Sequence, residues 1–541
     1  MTIYWPRPGA MSREPEVQGF APQVPQEVLD RYGAKVLDPA TAVRLPDQPA
    51  PRPTIYRSSV LLVPSGVRTD DLDAALAPVD MRIGDRDPDA RGFATEAVTL
   101  QASGRAVSVD AWVALQSIRN VDEGLAEVVS LDHLLFASAP STVLEGVPGA
   151  IQGFGPNDPA GLTWNGYSDS PVELTMPQAN RALPAQPPSL LGRRPVVAVF
   201  DTGIRFNNWL GVPAGAPQAN LGPFVESDQT IQSVALAGPQ DVPVAANPLI
   251  GIQSWCFGHG TFLAGIVQQI VPCARLLSVR VMNSDGITEE AVLVKALERL
   301  VIRVEDALKT GNMAKMVDVL SLSMGYYHEG TQADEAKSAL AVQLRALRSL
   351  GVVVVAAAGN LATSDRFCPA AFSTHQDPPP NVPVPGPPPY PLISVSALNP
   401  NGSKALFGNQ GNWVSCWAPG TQVVSTFPQD VNASRSPIVQ VASANGTGLP
   451  QTRESADSDD YRRSGFRLWR GGTSFSAPHV AAQVALELLK KAEAGQDFAA
   501  RKADAVNRAN AAVDTLKAQP TMPLPNPMPA VPEHVVVGDG Q

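Results

Sequence analysis

Gly471-Gly472-Thr473-Ser474-Phe475-Ser476-Ala477-Pro478-His479-Val480-Ala481-Ala482 is a glycine turn running into a helix with a proline near its start. Proline is tolerated in a first helical turn because its missing N–H would have had no intrahelical acceptor. Ser474 stands where turn meets helix, and a serine there has two opposite roles. It can cap the helix, which is the commoner job. It can also be a nucleophile, set where helix N–H groups and the positive end of the macrodipole meet a developing negative charge. The stretch alone leaves both open, and the residues around it decide.

Outward from this turn, the helix is expected to run over 478–493, with another over 500–517. Upstream, Pro195-Val-Val-Ala-Val-Phe200 is a short continuous apolar run, the pattern of a strand buried on both faces. Strand and helix patterns then alternate: a helix from His259 to Ile270, a strand over Leu276–Val281, and a helix from Thr288 to about Thr310. A strand over Val317–Ser323, a helix over Asp334–Leu350 and a strand over Val352–Ala358 follow. Further strands are expected at Leu392–Ala397, Trp413–Trp417 and Gln422–Thr426. This βαβαβ order predicts an α/β fold with a mainly parallel, doubly wound sheet flanked by helices. Asp201, Met324-Gly325 and Gly359-Asn360 all fall at carboxyl ends of strands, where such sheets gather their reactive groups.

The remainder divides by texture. Residues 1–52 are polar and proline-rich and read as an extended arm. Residues 53–140 alternate strand and helix patterns and read as a small α/β domain, and 141–190 read as a linker. The main unit spans 191–495, with insertions at 206–250, 362–391 and 429–470. Residues 496–541 hold a helix and a proline-rich tail. The segment 378–391 has nine prolines in 14 positions, which excludes regular structure.

The net charge of −10 and the absence of a basic stripe argue against a nucleic-acid partner. No apolar run approaches the roughly 20 residues of a membrane span, and no apolar leader follows Met1. The expectation is a soluble, cytoplasmic protein without a membrane partner. Cys256, Cys273, Cys368 and Cys416 lack both a disulfide framework and metal-like spacing, and read as buried apolar residues.

Three residues line up chemically. Asp201 ends a buried strand in Val-Phe-Asp-Thr-Gly-Ile. His259 opens a helix in Phe-Gly-His-Gly-Thr-Phe. Ser474 follows at 474 − 259 = 215 positions beyond the histidine. A serine hydroxyl needs a base poised near neutral pH, which favours histidine. A buried carboxylate fixes the imidazole tautomer and stabilises the imidazolium. Each residue alone reads as a turn, capping or surface residue; together and in these contexts they read as a catalytic set.

All three segments resemble the signature segments of subtilisin-like serine proteases, the subtilases. The resemblance covers about 195–490. It includes Leu322-Ser323-Met324-Gly325, similar to the strand that pairs with bound peptide, and Val352–Asn360, similar to the strand leading to the oxyanion-hole asparagine. Leu392–Leu398, Ala405-Leu406-Phe407 and Trp417-Ala418-Pro419-Gly420 resemble the segments that follow. The resemblance implies a serine endopeptidase in which Asp201 orients His259, His259 is base then acid, and Ser474 attacks the carbonyl. Asn360 and the Ser474 N–H would hold the oxyanion. Peptide or protein substrate would lie against Ser323, Met324 and Gly325. The primary pocket would be walled by Ala356, Ala357, Ala358 and Gly359, implying an uncharged, mainly apolar preference. No cofactor is expected. The acidic run Glu454–Asp460 reads as a solvated loop rather than a calcium site.

The same resemblance implies that the small domain is a folding aid and inhibitor released by self-cleavage somewhere in 141–194; the alternative is a permanent accessory domain. Two further readings remain: a subtilisin-like peptide cyclase or transamidase, and a non-catalytic binding protein on the same fold. His479 reads as a packed helix residue, and His133, His328, His375 and His534 have no motif context.

Overall fold

The structure is a computed structural model. It describes residues 3–6, 24, 26–46, 48–86, 92–104, 108–138, 170–171, 193–216, 221–242, 245–247, 252–254, 256–375, 387–430, 439–441, 451–453, 465–493 and 502–519. The acidic run 454–460, His534 and most of the 141–194 junction therefore lie outside the described residues.

The main unit is built on a parallel sheet of seven strands among the described residues. Their order is Cys416–Pro419, Ile393–Leu398, Val353–Ala357, Val319–Leu322, Val196–Asp201, Arg275–Arg280 and Val225–Glu226. Alternation along each strand splits the core in two. Val197, Val199, Val355 and Ala357 face one cluster, with helices His259–Ile270 and Thr473–Glu493. Val196, Ala198, Phe200, Val354 and Ala356 face the other, with helices Glu290–Thr310 and Ala339–Ser349. Covering both faces is why these strands read as unbroken apolar runs.

Several elements differ from the sequence reading. The helix expected over 334–350 is two, Gln332–Lys337 and Ala339–Ser349. Ser338 leaves helical geometry and accepts from the Ala341 N–H, so it caps the second. The helix expected from 478 begins at Thr473 and carries Pro478 within its second turn. The arm expected over 1–52 contains a helix, Gln26–Tyr32, and a strand, Ala34–Leu37, that pairs with Thr54–Pro64. Of the irregular insertion at 429–470, Phe466–Gly471 is a strand paired with Thr421–Thr426. The terminal helix Lys502–Lys517 packs on the Ser474 helix, burying Val506, Ala509, Ala512, Val513 and Leu516, so the main unit extends past 495.

The N-terminal unit has its own core. Strands Thr54–Pro64, Met81–Ile83, Thr95–Ala102 and Ser130–Ala137 form an antiparallel sheet. Helices Thr69–Leu76 and Ala111–Val121 cover it with Leu72, Leu76, Leu115 and Ile118. Asp110 caps the second helix, accepting from the Trp112 and Val113 N–H groups. Strand Ser130–Ala137 does not stop at this sheet. Its carboxyl end enters the main unit between Ile287–Glu289 and Met324–Tyr327 and pairs antiparallel with both. No helix among the described residues is long and apolar enough to cross a membrane.

Candidate active site

Strand Val196–Asp201 delivers Asp201 to the carboxyl edge of the parallel sheet, fully buried. Helix His259–Ile270 begins beside it. His259 Nδ1 lies 2.7 Å from Asp201 Oδ1, and since a carboxylate accepts, the ring donates through Nδ1–H. That leaves Nε2 as the acceptor position. The Thr202 N–H also donates to Asp201 Oδ1, at 2.8 Å. Thr202 Oγ1 in turn accepts from the Gly260 N–H at 3.0 Å, tying strand end to helix start.

The glycines around His259 have physical reasons. Gly258 holds φ +81°, a left-handed entry that side chains rarely adopt. Gly260 packs against backbone: a methyl group there would sit 2.4 Å from the Gly203 carbonyl oxygen. One residue here escaped the sequence reading. Asp241, inside the 206–250 insertion, accepts from the Gly258 N–H at 2.7 Å and so fixes the turn that presents His259. Burial pushes its carboxyl up to about 8 against the opposing pull of that hydrogen bond.

Ser474 is the second residue of helix Thr473–Glu493 and is fully buried. Its Oγ and His259 Nε2 are both buried, and neither has a hydrogen-bond partner among the described residues. The His259 ring meets Phe475, the residue after Ser474, at 5.9 Å and Trp469 at 5.6 Å between centroids. Trp469 comes from the strand closing the 429–470 insertion, so that insertion walls the histidine.

Asn360 follows the strand Val353–Ala357. Its Oδ1 accepts from the Thr473 N–H and from Thr473 Oγ1–H, both at 3.0 Å. With the oxygen engaged twice, Nδ2 is the free end of the amide; it is buried and has no partner among the described residues. Thr473 Oγ1 also accepts from the Gly359 N–H at 3.0 Å. Asn409 buttresses the same turn, donating to Ala358 O at 2.9 Å and accepting from the Leu361 N–H at 2.9 Å. Thr473 and Asn409 had no signal beyond proximity to glycines in the sequence. Ser323 has a second role that the sequence did not suggest: its Oγ donates to the Ser474 carbonyl at 2.9 Å.

The entering strand reaches this constellation. Ala137 pairs with Met324 and Phe136 with Gly325, while Phe136 pairs with Ile287 on its other edge. The Ala137 N–H donates to Gly286 O at 2.8 Å, and the Ser138 N–H to Ser323 O at 2.8 Å. The Ser474 N–H then donates to Ser138 O at 3.1 Å. A peptide carbonyl thus rests on the backbone amide of Ser474.

A family model described as the Subtilase family matches residues 192–515, more than half of the chain. The chain belongs to the Subtilase family. Among curated relatives of this subtilase, Subtilisin DY of Bacillus licheniformis is 25% identical over 242 residues, covering 43% of this chain and 64% of that protein. Subtilisin BL of Lederbergia lenta is 26% identical over 254 residues, covering 45% and 71%. The subtilase chain therefore spans just under two thirds of the first relative's length. Among solved structures, fervidolysin from Fervidobacterium pennivorans, titled a keratinolytic enzyme related to subtilisin, matches at 16% identity and a TM-score of 0.40. That match covers 80% of this chain and 55% of the other.

The four cysteines are buried. His479 is also buried, and burial pushes its imidazole down to about 4. Three histidines without motif context are buried beside carboxylates: His133 with Glu290 and Glu329, His328 with Glu329, and His375 with Glu335.

Proposed function

We propose that this subtilase is a serine endopeptidase and that its N-terminal unit is its own first substrate and inhibitor. The observation that carries this is the Ser138 carbonyl, held by the Ser474 N–H at the end of an added strand. Strand addition is a general way of binding extended peptide, with backbone bonds giving affinity and alternate side chains giving selectivity.

In the proposed reaction His259 Nε2 takes the proton of Ser474 Oγ as the oxygen attacks the carbonyl carbon. Asp201 holds the Nδ1–H and stabilises the imidazolium that forms. The carbonyl oxygen becomes an oxyanion facing the Ser474 N–H, with Asn360 Nδ2 as the second donor. Collapse breaks the C–N bond, and the leaving amine takes its proton from His259. Water, deprotonated by the same nitrogen, then releases the acyl group and restores Ser474. Applied to the chain itself, the bond cleaved is the one following Ser138, just upstream of the 141–194 region favoured by the sequence.

The test is a fluorophosphonate probe on the full chain and on Ser474→Ala, with intact mass and N-terminal sequencing in parallel. Labelling confined to the unaltered chain, together with a new N-terminus after Ser138 that Ser474→Ala lacks, is the expected result. Equal labelling of both proteins, or cleavage that persists in Ser474→Ala, would refute the assignment.

A further inference from the structure

The seated segment marks where the substrate residue before the cleaved bond places its side chain. Ser138 is fixed at three points: its N–H on Ser323 O, its carbonyl on the Ser474 N–H, and the chain behind it on Met324 and Gly325. Gly359 is tied to Thr473 next to Ser474. Residue 138 is thereby set beside strand Met324–Tyr327 and, through Ser474 and Thr473, near the turn that carries Gly359; the space between that strand and that turn is the primary pocket expected from the sequence.

That space is occupied. A methyl group placed on Gly325 would meet Phe367 Cε1 at 2.5 Å and Cδ1 at 2.9 Å. One placed on Gly359 would meet Phe367 Cγ and Cδ1 at 3.1 Å. A single phenyl ring thus spans the gap between the two glycine walls. It is only 6% exposed, although both walls are built of the smallest residue. The ring is also anchored. Phe367 pairs with Tyr327 and Cys368 with Tyr326 in an antiparallel ladder, and the Phe367 and Tyr327 rings meet at 5.1 Å. Tyr327 is held by Asn409 at 3.0 Å. Ala370, Ala371 and Phe372, in the short helix that follows, are buried as well.

We propose that Phe367 is a specificity-determining residue that fills the primary pocket, so that the enzyme cleaves after glycine, alanine or serine and rejects long aliphatic and aromatic residues. This narrows the apolar preference expected from Ala356–Gly359 alone, and it rests on the endopeptidase reading. The seated residue agrees with it. Ser138 is small and buried, and its Oγ has no hydrogen-bond partner among the described residues, so shape rather than polarity selects it. A leucine or phenylalanine at that point would have to displace a ring fixed through its own backbone, and packed interiors resist such insertion.

The experiment uses the full chain, allowed to process, and quenched-fluorescent peptides of sequence Leu-Leu-Phe-Ala-X-Ala with X as glycine, alanine, serine, leucine or phenylalanine. The unaltered enzyme is expected to show kcat/KM for alanine and serine above that for leucine and phenylalanine by on the order of 10- to 100-fold. Phe367→Gly should raise the leucine and phenylalanine peptides by about 10-fold or more while changing alanine and serine little. Phe367→Leu, which keeps a buried apolar side chain, should move the ranking in the same direction by less. Leucine or phenylalanine cleaved as fast as serine by the unaltered enzyme overturns the proposal without any variant. So does a ranking unchanged in both variants. Fluorophosphonate labelling at Ser474 without cleavage of any small-residue peptide refutes the pocket assignment alone. Absence of both labelling and cleavage refutes the endopeptidase reading and this inference with it.

Discussion

Asn360 is oriented by Thr473, and this pairing decides which end of the amide is offered to the reaction. Two donors on Oδ1 leave Nδ2 pointing away, buried and available. In the proposed mechanism replacing Asn360 by Ala removes an oxyanion donor, and kcat should fall by about 10²–10³ with KM nearly unchanged, a magnitude established on subtilisin itself. Thr473→Val keeps the shape but loses the Oγ1 donor and the acceptor for the Gly359 N–H. It should lower kcat by roughly 10-fold, since misorientation costs less than deletion. Steady-state kinetics on a small-residue peptide check both; an unchanged kcat for Asn360→Ala would remove it from the oxyanion hole. The sequence marked Asp201, His259, Ser474 and Asn360 as candidates because each sits in a glycine- or strand-marked context. It hid Thr473, Asn409 and Asp241 because their work is a hydrogen bond to one atom of a neighbour far along the chain, and no local pattern encodes that.

At the scale of elements, the site depends on how closely helix His259–Ile270 approaches the loop after strand Val196–Asp201. Gly260 meets Gly203 there, with no room for a methyl group. Gly260→Ala should therefore push helix and loop apart, destabilise the fold by roughly 1–3 kcal/mol and weaken the Asp201–His259 hydrogen bond. Denaturant unfolding together with kcat tests this: a variant with full stability and full kcat would contradict it. The central strands were readable because two-sided burial writes itself as an unbroken apolar run. The small N-terminal α/β unit was readable from its alternation. Elements set by capping or by pairing partners were not. Ser338 interrupts a helix whose apolar spacing runs straight through it. Phe466–Gly471 is a strand because Thr421–Thr426 lies beside it, a fact invisible from inside an insertion. Phe367–Cys368 is only two residues long and carries no periodicity, yet it brings the ring into the primary pocket.

On the scale of the whole molecule, the contact between the N-terminal unit and the main unit carries a buried charge cluster. His133, on the entering strand, bonds Glu290 Oε2 at 2.6 Å and Glu329 Oε2 at 2.7 Å, and all three side chains are nearly inaccessible. Tyr326 stacks on its ring at 4.4 Å, His328 lies at 5.4 Å, and Tyr56 is its ladder partner on the neighbouring strand. Beside it, Asp132 accepts from the Ala291 N–H at the start of helix Glu290–Thr310 and pairs with Arg57, which also reaches Glu289. Burial opposes a charge on His133, but Glu329 and Glu290 outweigh it and push its imidazole up to about 10. The unfolded chain has an ordinary histidine near 6.5. A group raised on folding contributes fully below the unfolded value and loses that contribution as pH climbs through the folded one. Association of the two units should therefore be firm at about pH 6.5 and loosen progressively toward pH 10. His133→Gln leaves two buried carboxylates without their shared cation, and in the uncleaved Ser474→Ala background it should cost roughly 3–5 kcal/mol near neutral pH. The gap in stability between that variant and its parent should narrow from pH 6.5 to 10, because the parent forfeits the same interaction by deprotonation. Thermal melts across this range are decisive: a constant or widening gap would mean that His133 holds the units together by shape and not by charge.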